Sequence, residues 1–161
     1  MIGVSDASTA SAHRPNPARV VPTSTYRLQI HEGFTYDDAA GHTEYLSSLG
    51  VSHVYLSPVL QAAPGSMHGY DVLDHTRISE AAGGRGGFER LVAACRAAGL
   101  GIIVDVVPNH MAVPQPAHLN APFWSLLREG RRSPYAGWFD VDWVAEDDRL
   151  LMPVLGGTLQ Q

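Results

Sequence analysis

The sequence predicts an α/β protein built on a parallel sheet, and three observations carry that prediction. First, GLGIIVDVVPNHM, Gly99–Met111, contains the apolar run Ile102-Ile103-Val104 without polar alternation, the mark of a strand buried on both faces. Second, strand and helix patterns alternate, in the order strand-helix-strand-helix-strand. Third, the links from helix to strand are short, whereas the links leaving the strands are long. Parallel strands with right-handed crossovers produce that asymmetry, and it points to function at the strands' carboxyl ends.

The elements follow in order. Met1–Val21 is rich in Ala, Ser and Pro and lacks a continuous apolar segment after a basic start. It reads as a mobile tail, not a signal peptide. In TSTYRLQI, Thr23–Ile30, Tyr26, Leu28 and Ile30 alternate with Thr25, Arg27 and Gln29, which gives the first strand. Thr35 with Asp38 three residues on forms a capping-box pattern, and Asp37 and Asp38 suit the positive start of a helix. That helix carries Ala39, Leu46 and Leu49 on one face and ends at Gly50; VSHVYL, Val51–Leu56, is the second strand, stopped by Ser57-Pro58. A long polar loop follows, from Val59 to about Arg85.

Phe88, Leu91, Val92, Cys95 and Ala98 then form a helical stripe that Gly99 terminates, and the third strand begins at once. Asp105 interrupts its apolar run; a buried carboxylate is costly unless paired, so it belongs near the strand's end with a partner. Pro108 cannot donate to a ladder, which stops the strand and leaves Asn109 and His110 just beyond it. Two readings of this polar end stay open: a terminus that hydrogen-bonds its own loop, or part of a binding site. After His110 periodicity disappears. Pro114, Pro116 and Pro122 break the chain, FWSLLREG suggests a short helix, and Asp140–Trp143 with Leu150–Val154 suggest a small strand pair.

Composition narrows the function. The chain has 161 residues with 45% hydrophobic content, enough for one domain with a real core, and a formal net charge of -5 argues against nucleic acid or an anionic membrane as partner. All 11 basic residues are arginine. The one cysteine, Cys95, excludes an internal disulfide framework, fits a reducing cytoplasm, and lies on the apolar helix face, where packing suits it better than nucleophilic chemistry.

The residues that could carry chemistry cluster after the second and third strands. SMHGYDVLDH supplies His68, Tyr70, Asp71, Asp74 and His75. Imidazoles and carboxylates near His110 allow a metal reading, but no zinc-ligand spacing appears. In a sugar-binding reading, Tyr70 stacks on the apolar face of a pyranose while His68, Asp105 and His110 hydrogen-bond its hydroxyls. In a structural reading, Tyr70 packs and Asp71 or Asp74 caps a turn. Each residue singly fits the structural role; two such clusters at consecutive strand ends shift the balance to a site. Trp124, Tyr135, Trp138, Phe139 and Trp143 admit either a glucan-stacking surface or the core of a small subdomain, and most of them read as core.

GVSHVYLSPV, HGYDVLDH and GGFERLVAACRAAGLGIIVDVVPNH, in this order, resemble the amino-terminal part of the α-amylase superfamily (glycoside hydrolase family 13) over roughly Thr23–His110. DVVPNH is similar to the first of that family's conserved regions. The resemblance implies the first three βα units of a (β/α)8 TIM barrel over 22–112, with an inserted loop subdomain over 113–161. TSTYRLQ, YLSPVLQAAPGSMHGYDVLDHTRIS, DVVPNHMAV, YAGWFDVDW and LMPVLGG extend it from Pro22 to about Gly157, toward a branch of the family that rearranges α-glucans. It implies a maltooligosaccharide substrate whose reducing-end α-1,4 link becomes α,α-1,1, in trehalose biosynthesis alongside a trehalohydrolase.

By the same resemblance, Tyr70 stacks on the glucose at the cleavage subsite with His68 beside it. His110 binds hydroxyls of that sugar, and Asp105 pairs with an arginine near the nucleophile; Asp71 and Asn109 support. Asn109 is a calcium ligand in many α-amylases, but this branch does not generally need calcium, so no metal and no cofactor are expected. The nucleophile and acid/base of the family come from later barrel strands, which places both beyond Gln161 and leaves no catalytic carboxyl in this chain. A barrel needs about 250 residues, so the chain reads as an amino-terminal fragment, expected to be inactive and poorly soluble alone. Rival functions are an α-amylase or trehalohydrolase, and a non-catalytic glucan-binding module.

Overall fold

The computed structural model describes residues 21–152, residue 146 excepted. Three strands form a parallel sheet in the order β1 (Thr25–Leu28), β2 (His53–Leu56) and β5 (Gly101–Val104). Arg27 lies opposite Tyr55, and Tyr55 opposite Ile103. Because side chains alternate along a strand, the two faces of this sheet differ in character. Leu28, Val54 and Leu56 join the core on one face. The other face presents Arg27, His53, Tyr55 and Ile103, a polar surface at odds with strands apolar on both sides.

Helices cover the apolar face. Helix α3 (Gly84–Ala97) buries Leu91 and Cys95 and sets Phe88 against the core, as the stripe requires. Burial pushes the Cys95 thiol up to about 11, consistent with a packing role. Helix α1 (Tyr36–Ala40) starts with the capping box anticipated at Thr35 and Asp38, with both reciprocal hydrogen bonds present. Tyr36 is fully buried, donates its hydroxyl to the Val59 carbonyl at 3.1 Å and meets Phe88 edge-on. The Arg90 guanidinium makes two 2.7 Å bonds to Asp37, tying α3 to α1 and holding that carboxyl below its usual range.

Several expectations need correction. The single helix after Thr35 is two, α1 and α2 (Thr43–Ser48), divided at Gly41–His42. Leu49 follows the end of α2 and is 52% exposed, so it leaves the core face. The loop from Val59 to Arg85 contains an antiparallel ribbon, β3 (Leu60–Ala62) with β4 (Val72–Ile78), irregular in register. Its charged outer half, Asp74 to Arg77, is largely outside the core, which hid the strand signal in the sequence. Strand β5 is only half-buried, because it has a neighbour on one side of the sheet among the described residues.

Beyond β5, helix α4 (Ala121–Glu129) is capped by Asn120, whose side chain accepts from the Phe123 N–H, and Pro122 lies inside its first turn. Proline is tolerated there because first-turn N–H groups lack intrahelical partners. Asp140–Asp142 has no regular structure and Trp143 begins a turn, so no strand forms there, and among the described residues Leu150–Met152 pairs with no strand. Pro153 and Val154, the other half of that anticipated strand, lie outside the described residues, as do the following residues to Gln161 and nearly all of the anticipated tail. Among the described residues, no helix is long and apolar enough to cross a membrane.

Candidate functional site

The turn joining β3 to β4 sets the geometry of the first cluster. The Ser66 N–H donates to the Ala63 carbonyl, the Gly69 N–H to Ser66 Oγ, and the Ser66 hydroxyl to Asp71 Oδ1. Gly69 has φ +78, and a Cβ there would sit 2.8 Å from the Pro58 carbonyl oxygen, so only glycine fits. Gln29 anchors the turn from the end of β1, its amide donating to the Met67 carbonyl at 2.8 Å. His68 and Tyr70 emerge side by side, ring centroids 6.1 Å apart and planes within 19°, with the Tyr70 N–H donating to His68 Nδ1.

The second cluster sits at the ends of β2 and β5. Asp105 is the residue after β5, its N–H bonded to the Leu56 carbonyl at 3.1 Å. It faces two phenols: the Tyr70 hydroxyl donates to Oδ2 at 2.6 Å and the Tyr55 hydroxyl to the same oxygen at 3.0 Å. The bond to Asp105 holds the Tyr55 phenol above its ordinary pKa, because ionising it would set two negative charges together. The Arg27 guanidinium lies 5.7 Å from the Tyr55 ring centroid, within cation–π range. Among the described residues, then, Asp105 is met by tyrosine hydroxyls and not by an arginine.

His110 closes the set. Its Nε2 donates to the Tyr70 carbonyl at 3.0 Å, and its Nδ1 lies 3.2 Å from the Asn109 side-chain oxygen. Tyr70 therefore touches His68, Asp105 and His110, and all four share one patch. Asp71 braces the turn through Ser66 and stands 4.0 Å from His68 Nδ1, and Asn109 flanks His110. Asp74 and His75 turn away: Asp74 accepts from Thr76, and His75 Nε2 donates to the Val107 carbonyl. Tyr55, Arg27 and Gln29 were not anticipated. The signal was present, since His53 and Tyr55 alternate with Val54 and Leu56 and so share the face away from the core. Gln161, beyond which the resemblance puts the nucleophile and the acid/base, lies outside the described residues.

His110 and Asn109 also line a cavity of about 880 Å³ between the loop after β5 and the segment around α4. Phe123 and Leu126 are buried on its wall, but Trp124 and Trp138 are 40% and 66% exposed, so the aromatic group is less of a core than its composition suggests. Among the described residues, no group of three His, Cys, Asp or Glu side chains converges to hold a metal.

Residues 37–146 match the model of the alpha amylase catalytic domain. A putative maltooligosyl trehalose synthase of Mycobacterium tuberculosis is 50% identical over 138 residues, which cover 83% of this chain and 18% of that protein. The structure of maltooligosyltrehalose synthase from Arthrobacter ramosus superposes with a TM-score of 0.81 at 48% identity, over 86% of this chain and 18% of that one. A malto-oligosyltrehalose trehalohydrolase of Rhizobium is 42% identical over 77 residues, covering 48% of this chain and 13% of that protein. The chain thus spans under a fifth of the length of these relatives. With a family model covering most of its length and three parallel strands that build part of a TIM barrel, the chain belongs to the alpha-amylase catalytic domain family.

Proposed function

We propose that this chain supplies the first glucose-binding surface of a maltooligosyl trehalose synthase of glycoside hydrolase family 13, a (1→4)-α-D-glucan 1-α-D-glucosylmutase. Residues 22–112 act as the first βα units of the catalytic barrel and 113–161 as an inserted subdomain. The observation that carries this reading is the contact of Tyr70 with His68, Asp105 and His110 beyond the ends of β2 and β5. Tyr70 offers a ring to the apolar face of one glucose; the imidazoles and the carboxylate offer donors and acceptors to its hydroxyls. Asp71 and Asn109 hold two of these groups in place.

In such an enzyme the bond between C1 of the sugar and the O4 leaving group breaks as an acid protonates O4, and C1 forms an ester with a carboxylate. Both carboxyls belong to the part of the enzyme that follows Gln161. The released glucose turns, its anomeric hydroxyl attacks C1, the ester breaks, and the base takes the hydroxyl proton. Asp105, held between two phenols, serves substrate orientation in this scheme and not nucleophilic attack. Exclusion of water decides between transfer and hydrolysis. The enzyme works in the cytoplasm, and a trehalohydrolase consumes its product.

A chimera tests the reading: this chain replaces the matching segment of the Arthrobacter ramosus synthase, and maltopentaose is the substrate. Transfer yields a non-reducing product, so reducing ends disappear without release of shorter sugars. Accumulating reducing ends would place the chain with the hydrolases, to which the trehalohydrolase relative, 42% identical over 77 residues, belongs.

A further inference from the structure

We propose that Gln29 is a positioning residue for the sugar-binding patch: Arg27 orients its amide, the amide holds the Met67 carbonyl, and that hold sets His68 and Tyr70 against the sugar ring. This rests on the α-glucan reading of Tyr70 and adds to it a residue from the end of β1, a strand that reading leaves without a part. Side chains alternate along a strand, so Arg27 and Gln29 leave the chain on the same side. Ser57, fully buried just past β2, pins the backbone on both sides of Gln29. Its N–H donates to the Leu28 carbonyl at 3.0 Å, and its Oγ accepts from the Ile30 N–H at 2.8 Å. Gln29 therefore starts from a fixed point.

Its amide has one way to face. Arg27 Nη1 donates to Gln29 Oε1 at 2.7 Å. A guanidinium has no acceptor, so the amide oxygen must turn to Arg27 and the NH2 group to the other side. There Nε2 donates to the Met67 carbonyl at 2.8 Å. Met67 directly precedes His68 and is 51% exposed, so the core does not hold it. The bonds from the Gly69 N–H to Ser66 and from the Tyr70 N–H to His68 shape the turn without tying it to the sheet. Tyr70 is tied to Asp105 and His110, and Gln29 ties the opposite side of the turn from a different strand. The Arg27 guanidinium also lies against the Tyr55 ring, whose hydroxyl shares Asp105 with Tyr70. These contacts close a circuit through the ends of β1, β2 and β5 and the ribbon turn. Glutamine suits the place because one side chain must accept from Arg27 and donate to a carbonyl. Glutamate would accept only, and would set a negative charge against the Met67 oxygen.

Gln29→Glu is the test, because it keeps the length and the Arg27 contact and removes the donor. In the chimera with the Arthrobacter ramosus synthase it should lower kcat on maltopentaose about tenfold and move KM by less than about twofold, the pattern of a misplaced group acting on one ring of a longer substrate. In a Tyr70→Ala background the same change should have no further effect, since it acts through Tyr70. An unchanged kcat, or an equal loss in both backgrounds, overturns the positioning role. Hydrogen exchange of the 161-residue chain, read by mass spectrometry, gives an answer independent of activity. Residues 64–71 should exchange about fivefold faster in Gln29→Glu, as one lost hydrogen bond allows, while α3 is unchanged. No acceleration in 64–71, or an equal one in α3, overturns the proposal. Full activity in Tyr70→Ala removes Tyr70 from the sugar and the α-glucan reading with it. A loss in Tyr70→Ala beside an unchanged Gln29→Glu leaves that reading standing and overturns only the role of Gln29.

Discussion

Asp105 gathers two phenols onto one oxygen, and the consequence can be read in the ionisation of Tyr55. The bond keeps Tyr55 protonated to higher pH than an ordinary tyrosine. A proton held more tightly in the fold contributes stability that is complete below the ordinary phenol value of about 10 and is lost as pH rises through the raised one. Asp105→Asn removes the charge and keeps an acceptor, so the Tyr55 pKa should fall toward normal. Spectrophotometric titration should show one phenol ionising earlier than in wild type, with less stability lost on the alkaline side. An unchanged titration curve would mean that Asp105 does not set the Tyr55 proton. That Asp105 needs a partner follows from its place in an apolar run. Which partner it finds does not, because Tyr55 is 50 residues away and reaches it only once β2 and β5 are aligned.

At the scale of elements, the β3–β4 ribbon carries His68 and Tyr70 of the candidate site and was the least legible part of the chain. Its strands are short, irregular in register and charged, so no alternation announces them. Its turn depends on two glycines of different kinds. Gly65 and Gly69 both have positive φ, at +77 and +78, but a Cβ at Gly65 meets nothing within 4 Å whereas one at Gly69 strikes the Pro58 carbonyl. Gly65→Ala should therefore cost about 1 kcal/mol for the left-handed backbone alone. Gly69→Ala should cost roughly 1–3 kcal/mol more and displace His68 and Tyr70. Urea unfolding of both variants checks this, and equal costs would contradict the close approach. By contrast, α3 and the capping box of α1 were legible because they rest on local periodicity and a contact three residues long.

For the molecule as a whole, the outer edge of β5 is one of two open edges of the parallel sheet among the described residues, β1 being the other. Val104 and Val106 are 40% and 57% exposed, and the strand's far side is open among the described residues. Open edges with apolar side chains pair with other chains, so the 161-residue chain should self-associate as concentration rises. Sedimentation velocity should show this, and Val106→Arg should reduce it; a monomer at all concentrations would exclude the edge as a contact. The sequence by itself determined the three parallel strands, the buried stripe of α3, the capping box of α1 and the choice of His68, Tyr70, Asp105 and His110 as candidates, because local patterning and motif order report them. Only the tertiary structure decided that Tyr70 joins the other three, that Tyr55 shares Asp105, and that Trp138 stands at the mouth of a cavity. Those contacts join distant segments, and their distances exist only after the sheet has brought the strand ends together.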